Sequence, residues 1–515
     1  MAALHTLDYA VLAVYFIVVV AVCVGVTRRA PDSDELFLAG RSLGAGAIGL
    51  SLFASNISST TLIGLPGAAW DSGIAVANYE WMAALVLVFS ALFVVPILLR
   101  AKIATIPELL ERRFDARLRR YLSGTTVLLA IFLDTAGSLY AGAIVLMLFF
   151  PGLELAPTCA AIALFAGVYT AAGGLRAVVY TDVLQSIVLL LGSAFLAVTV
   201  FAEFDWSWSR VVSDLPPEKL SLLRPLDDPA LPWLGTLLGL PLLGFYYWTM
   251  NQYVSQRLLG AKNTEAAGRG ALLAAALKLL PLFLMVLPGA MAASLFPDLE
   301  RADSVYPRLI AEFAPVGVTG VILAGLLAAI MSSIDSALNS SSTLITLDFV
   351  APRRPEMNAR AMARLGRGIT LGLVVVAAIW APAIDNFPGL FAYLQQAFAY
   401  VTPPLVAVFL AGVFSRGIGA EAALRALLCG HALSLGWFVA TQSGLATLHF
   451  TLVAAVLFAA TLAAAGFWQW RLRLPPRADQ LSSVERVPVR ALPISLRVGA
   501  PLLVAATALL VFAFR

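Results

Sequence analysis

The sequence predicts an all-α polytopic membrane protein of about fourteen transmembrane helices, on its composition, its train of apolar segments and its uneven distribution of cations. Of 515 residues, 60% are apolar and only 12% charged, and the mean hydropathy is +0.89. Soluble domains carry about 25% charge because their surfaces face water. A surface this poor in charge faces lipid instead.

A crossing takes about 20 apolar residues, because the hydrocarbon core is about 30 Å thick and a helix rises about 1.5 Å per residue. Fourteen segments read as crossings: 7–27, 43–72, 78–100, 121–149, 156–172, 178–202, 231–256, 270–296, 315–349, 368–384, 389–414, 420–441, 446–470 and 495–514. The first Lys or Arg is Arg28, so 7–27 lacks the basic start of a signal peptide and is expected to be retained. The cation distribution tests the count. Alternate connections, beginning with 28–42 and ending with 471–494, hold 27 of the 34 Lys and Arg once the adjoining crossing ends with Arg100, Arg425 and Arg497 are counted with them. By the positive-inside rule those connections are cytoplasmic, and both termini are expected outside, in a multi-pass protein of the cell membrane. The longest connection, 203–230, is acidic, external and too short for a soluble domain. The chain is therefore expected to be one membrane domain.

Two segments have interrupted interiors. In 43–72 the run Ser55-Asn56-Ile57-Ser58-Ser59-Thr60-Thr61 is followed by Gly64, Pro66 and Gly67; in 231–256, Gly235, Gly239, Pro241 and Gly244 precede Tyr246-Tyr247-Trp248 and Asn251-Gln252. Broken backbone at membrane depth is tolerated only where it is buried or lines a wet cavity. Breaks at corresponding positions of two halves point to a transport site. Each break here opens a set of five segments, and five being odd, the second set is inverted. The plain alternative is close helix packing through small residues.

Glu80, Asp134, Asp182, Lys278 and Asp335 lie inside predicted crossings, where each needs a partner or a wet cavity. Lys278 is the only cation deep within a crossing and Glu80 a plausible counter-charge. The pair reads either as solute hydroxyl ligands or as a structural ion pair. Ser332, Asp335 and Ser336 share one helical face, and hydroxyl, carboxylate and carbonyl oxygens suit a hard cation. Cys23, Cys159 and Cys429 show no metal or disulfide spacing. Three unpaired histidines exclude histidine-based metal or acid–base chemistry, and no nucleophile–base pattern suggests an intramembrane enzyme. A channel or a sensor is the rival outside transport.

These residues resemble the sodium:solute symporter family, closest to its sodium/sugar cotransporters. The resemblance covers roughly 35–415. It rests on Phe37-Leu38-Ala39-Gly40-Arg41, Ser55-Asn56-Ile57-Ser58, Tyr79-Glu80-Trp81, Ile106-Pro107-Glu108, Tyr180-Thr181-Asp182-Val183-Leu184-Gln185, Tyr247-Trp248, Asn251-Gln252-Tyr253, Leu277-Lys278 and the run 332–339. It implies a leucine-transporter-like inverted repeat of five plus five helices (43–202 and 231–414) with one extra N-terminal and three extra C-terminal helices (7–27 and 420–514). It also implies symport of a small polar solute, a sugar or polyol first and an amino acid, vitamin or monocarboxylate second. Sodium is the coupling ion, and no nucleic acid or obligatory protein partner is implied.

The resemblance assigns a main sodium site to the carbonyls of Ala54, Ile57 and Ala329 and the hydroxyls of Ser332 and Ser333. A second cation position is implied at Asp182, with Asp335 and Ser336 beside it. Solute contacts carry over to Tyr79, Glu80, Lys278 and Gln395, with Tyr247 as inner gate and Trp248 beside it. Thr61 and Gly244 depart from sugar carriers, which have larger polar residues there. Asp134 is an additional carboxylate on the third repeat helix. No Arg is expected at depth, which argues against anionic solutes.

Overall fold

The computed structural model describes residues 4–514 apart from 28–36, 151, 387–389, 475, 477 and 483. The chain is helical almost throughout. Among the described residues the only β-type pairing is an isolated bridge between Leu43 and Ala261. Among the described residues, ten helices are long and apolar enough to cross a membrane, and each falls on a predicted crossing. The other four predicted crossings are Thr6–Thr27, the two interrupted segments and 156–172. Side chains such as Leu164, Leu191, Ile379, Leu435 and Leu509 point outward and stay exposed, as a lipid-facing belt requires.

Local chemistry starts several helices cleanly. The side chains of Asp115, Asn263 and Asn358 accept hydrogen bonds from the first-turn amides of Ala116–Leu129, Thr264–Leu277 and Ala359–Trp380, the ordinary role of Asp and Asn at a helix N-cap.

Crossings 156–172 and 178–202 fall within one helical element, Leu155–Ala202, of 48 residues. A straight helix of that length would measure about 72 Å, over twice the hydrocarbon core. Its two halves both reach the middle of Thr6–Thr27: Phe165 packs on Phe16, and Gln185 donates to the Tyr15 hydroxyl at 3.4 Å. Contact with adjacent residues by positions twenty apart fits two antiparallel passes.

The most buried crossing is Val318–Leu344, while the C-terminal Ile494–Ala513 lies mostly exposed. Val318–Leu344 packs against Leu155–Ala202 and both halves of the first broken helix. It forms the axis around which the rest is arranged.

The two breaks are built alike. Ala45–Asn56 and Thr61–Ser72 meet at 55°. In a continuous helix the Ser58 amide would donate to Ala54, four residues back; here it donates to Asn56 at 2.7 Å. Ser58 is extended, and its hydroxyl accepts from the Thr61 amide to restart the helix. In the second segment the π-helical turn Tyr246–Met250 ends at an extended Asn251, whose side chain accepts from the Tyr253 amide and starts Gln252–Leu259. Each break is thus a short extended step followed by a polar cap.

The glycines of the second break divide between packing and cavity. At Gly235 and Gly239 an added Cβ would fall 2.0 Å from the Thr451 hydroxyl and 2.1 Å from its carbonyl, so these two serve close helix packing. Gly244 lies on the cavity wall described below.

Candidate functional site

The breaks open onto one cavity of about 120 Å³. Since a site needs roughly 10–15 Å³ of such volume per water, it has room for a small solute. Its wall comes from Ser55, Asn56, Ser58 and Thr61 of the first break and from Gly244, Tyr247 and Trp248 of the second. Tyr79 and Glu80, Asp134 and Ser138, Ser333, and Gln395 with Phe398 complete the polar and aromatic lining. Two π-helical turns, Ala130–Thr135 and Tyr246–Met250, deliver Asp134, Tyr247 and Trp248; such turns recur at functional sites.

Glu80 and Lys278 form an ion pair. Lys278 also donates to the Asn56 side chain, and its ammonium lies 5.1 Å from the Trp248 ring centre. Thr264–Leu277 ends at Lys278, three residues before Pro281, so the lysine sits where the crossing is interrupted. Lys278 is fully enclosed, whereas Glu80 reaches the cavity. The sequence placed both as solute contacts; the structure puts Glu80 on the lining and Lys278 behind it, joined to both broken helices. Tyr247 packs edge-on against Trp248, Tyr253 and Phe398. The Thr61 hydroxyl bridges the break, donating to the Asn56 carbonyl at 2.7 Å.

The candidate sodium ligands lie at the end of Ala45–Asn56 and on Val318–Leu344, two elements in contact. Ala54, Ile57, Ala329, Ser332 and Ser333 are all buried. The Ser333 hydroxyl donates to the Ala329 carbonyl at 2.9 Å, and Ser333 also reaches the cavity. The Ser332 hydroxyl donates to Asp182.

Where the resemblance implies a second cation position, the structure holds a guanidinium. Arg257 Nη2 is 2.8 Å from Asp182 Oδ2 and donates to Ser336 Oγ at 2.6 Å. Its Nε donates to Ser51 Oγ at 2.5 Å, and Nη1 donates to the Tyr253 carbonyl. Asp182 further accepts from Ser51 at 2.5 Å and Ser55 at 3.3 Å. Ser336 donates to Asp335 at 3.3 Å. Of Ser332, Asp335 and Ser336, expected on one face, Ser332 and Ser336 both bond to this pair.

The expectation that no arginine lies deep in the fold is corrected. Arg257 follows the second break and reads from sequence as a loop cation, but it is wholly buried. The signal that would have found it is Asp182, a buried carboxylate in need of a partner. Arg257 is not among the residues of the cavity wall. Among the described residues, no group of three or more His, Cys, Asp and Glu could hold a metal ion.

The remaining motifs serve as scaffold. Gln252 accepts from the Ile106 amide at 2.9 Å and donates to the Ala104 carbonyl at 3.2 Å. Thr105 and Glu108 make a reciprocal cap, with Thr105 accepting from the Glu108 amide and Glu108 from the Ala104 amide, close to the capping-box pattern. Arg41 donates to the Ile103 carbonyl at 3.1 Å, and Leu43 pairs with Gly260 and Lys262. These bonds tie the start of the first broken helix to the end of the second.

Paired broken helices around a central cavity, in an all-helical membrane protein, define a secondary transporter of the inverted-repeat type. The chain belongs to the sodium:solute symporter family, whose model matches residues 36–430. It is 35% identical to a sodium/glucose cotransporter of Vibrio parahaemolyticus, over 82% of this chain and 83% of that protein. It is likewise 35% identical to a sodium/mannose cotransporter of Bos taurus, over 84% and 78%. Among solved structures it superposes on a Na+-coupled sialic acid symporter with a TM-score of 0.80 at 22% identity, covering 92% of this chain and 99% of that one. It also superposes on Mhp1, a nucleobase-cation-symport-1 family transporter, with a TM-score of 0.60 at 16% identity, covering 88% and 98%. The protein is thus a multi-pass membrane symporter and not an enzyme, and sodium is its co-transported ion.

Proposed function

We propose that the protein imports a small polyhydroxylated solute, a sugar or polyol, through the cavity bounded by the two breaks. The observation that carries this reading is Glu80, a carboxylate presented to the cavity by Lys278 and flanked by aromatic rings. A carboxylate accepts from solute hydroxyls, Gln395 offers both a donor and an acceptor, and Trp248 and Tyr247 give apolar faces. The sugar-cotransporter relatives favour the same class.

Sodium is held by the carbonyls of Ala54, Ile57 and Ala329 and the hydroxyls of Ser332 and Ser333. There it joins the first broken helix to Val318–Leu344. Ser333 also borders the cavity, so ion binding shapes the solute site directly, and Tyr247 acts as the inner gate. The second cation position at Asp182, Asp335 and Ser336 opens to an ion only when the Arg257 guanidinium moves away. Each inward sodium supplies about 2.3 kcal/mol per 100 mV and about 1.4 kcal/mol for a tenfold gradient, enough together for roughly 500-fold accumulation.

Residues 43–202 and 231–414 form the two repeats, with 7–27 and 420–514 accessory to them. The protein lies in the cell membrane with both termini outside, an orientation that the cation bias supports. The reading requires no partner beyond lipid, ion and solute. Its test is competition against sodium-driven uptake in proteoliposomes over neutral sugars, polyols, amino acids and monocarboxylates. Sugars or polyols should compete first. Competition confined to amino acids or carboxylates would overturn the choice of solute while leaving sodium symport intact.

A further inference from the structure

We propose that Asp134 is a specificity-determining solute residue, facing a hydrogen-bond donor of the solute, and a protonated amine most favourably, at a point separate from Glu80. The inference deepens the reading of the cavity as the solute site and rests on it. Asp134 stands on the π-helical turn Ala130–Thr135, where one additional residue per turn shifts the side-chain register of the crossing. It lines the cavity together with Ser138, one turn onward. The side chain is partly exposed at the cavity, its Oδ2 accepts no hydrogen bond from the protein, and Asn251 of the second break lies beside it.

The charges on the cavity wall make this position distinctive. Among the described residues, Lys278 answers Glu80 and Arg257 answers Asp182, while no ion pair is formed by Asp134. With Glu80 balanced, the wall carries one carboxylate without a counter-cation. An opposite charge is strongly favoured beside a carboxylate in surroundings of low polarity, and a like charge equally disfavoured. A site built to pair a polar group also penalises a solute that leaves it unpaired. The cavity therefore ranks solutes of one skeleton by charge: an amino sugar ahead of the neutral sugar, and the neutral sugar ahead of the uronate.

The test uses the full-length protein in proteoliposomes, with sodium-driven uptake of a labelled neutral hexose as the signal. The competitors are the unlabelled hexose, its protonated amino-deoxy analogue and its uronate. In the unmodified protein the amine should compete about tenfold better than the hexose, and the uronate about tenfold worse, the scale of one well-placed polar contact. In Asp134→Asn the three should fall within about twofold of one another, with the sodium half-saturation unmoved; in Asp134→Glu the ranking should persist. The inference is overturned if the amine competes no better than the hexose in the unmodified protein, an arm that needs no variant to fold. It is also overturned if Asp134→Asn keeps the full ranking. Absence of sodium-driven uptake of any sugar in the unmodified protein would instead refute the solute reading on which the inference stands.

Discussion

Two ion pairs lie buried about the first break, and they differ in what surrounds them. Around Arg257 and Asp182, both carboxylate oxygens accept from protein donors, and the guanidinium is spread over Asp182, Ser336, Ser51 and the Tyr253 carbonyl. Around Lys278 and Glu80, the ammonium is enclosed by Glu80, Asn56 and the Trp248 ring, while the carboxylate keeps a face on the cavity. A pair with its hydrogen bonds completed inside the protein acts as a clamp. A pair with an oxygen facing a cavity is a surface on which something else can bind. The same two charge types thus serve shape in one place and recognition in the other.

The largest expected effect comes from breaking the clamp. Replacing one member of a buried pair costs about 3–5 kcal/mol, because the other charge is left uncompensated. Asp182→Ala should therefore lower the thermal unfolding midpoint sharply or prevent purification of folded protein. The double variant Asp182→Ala with Arg257→Met should recover most of that stability, and a tolerated single variant would break the comparison.

Next comes the recognition pair. Glu80→Gln keeps the shape of the side chain but removes the charge that Lys278 holds in place. Loss of a charge-assisted contact of about 1.5–3 kcal/mol predicts a solute half-saturation raised by roughly tenfold to more than a hundredfold, with a smaller change in unfolding midpoint than Asp182→Ala. Half-saturation measured alongside thermal unfolding separates the two roles. A more modest change is expected at the cation position, where Ser333→Ala removes one neutral ligand among several. The sodium concentration for half-maximal uptake should rise several-fold at saturating solute, as one neutral contact of about 1 kcal/mol allows. Smallest of all is Arg100 with Glu485, both more than half exposed at 3.2 Å. Glu485→Gln should leave the unfolding midpoint and uptake unchanged, as exposed pairs contribute little.

Much of this arrangement is legible in the sequence because lipid simplifies the code. Every crossing needs a long apolar run, so the hydropathy pattern marks the ten long apolar helices among the described residues, and helix-breaking residues stand out against it. The two breaks and Glu80 beside Lys278 were readable on that ground. What stayed hidden depends on direction rather than location. Arg257 reads as a loop cation because it follows the second break, yet its side chain folds inward onto Asp182. Lys278 reads as a solute contact, yet it stands behind Glu80. Gly235 and Gly239 belong to the interrupted segment, but their role is decided by Thr451, more than two hundred residues away. None of these facts has a local signature, since each depends on which helix is packed alongside.

That sodium drives a solute onto the Glu80 surface has a direct kinetic consequence. It is tested most directly by the time course of labelled hexose uptake into proteoliposomes, with an inward sodium gradient or an equal potassium gradient. The unmodified protein should show a transient overshoot above equilibrium in sodium and none in potassium, and Glu80→Gln should overshoot in neither. Equal accumulation in potassium, or an undiminished overshoot in Glu80→Gln, would contradict it.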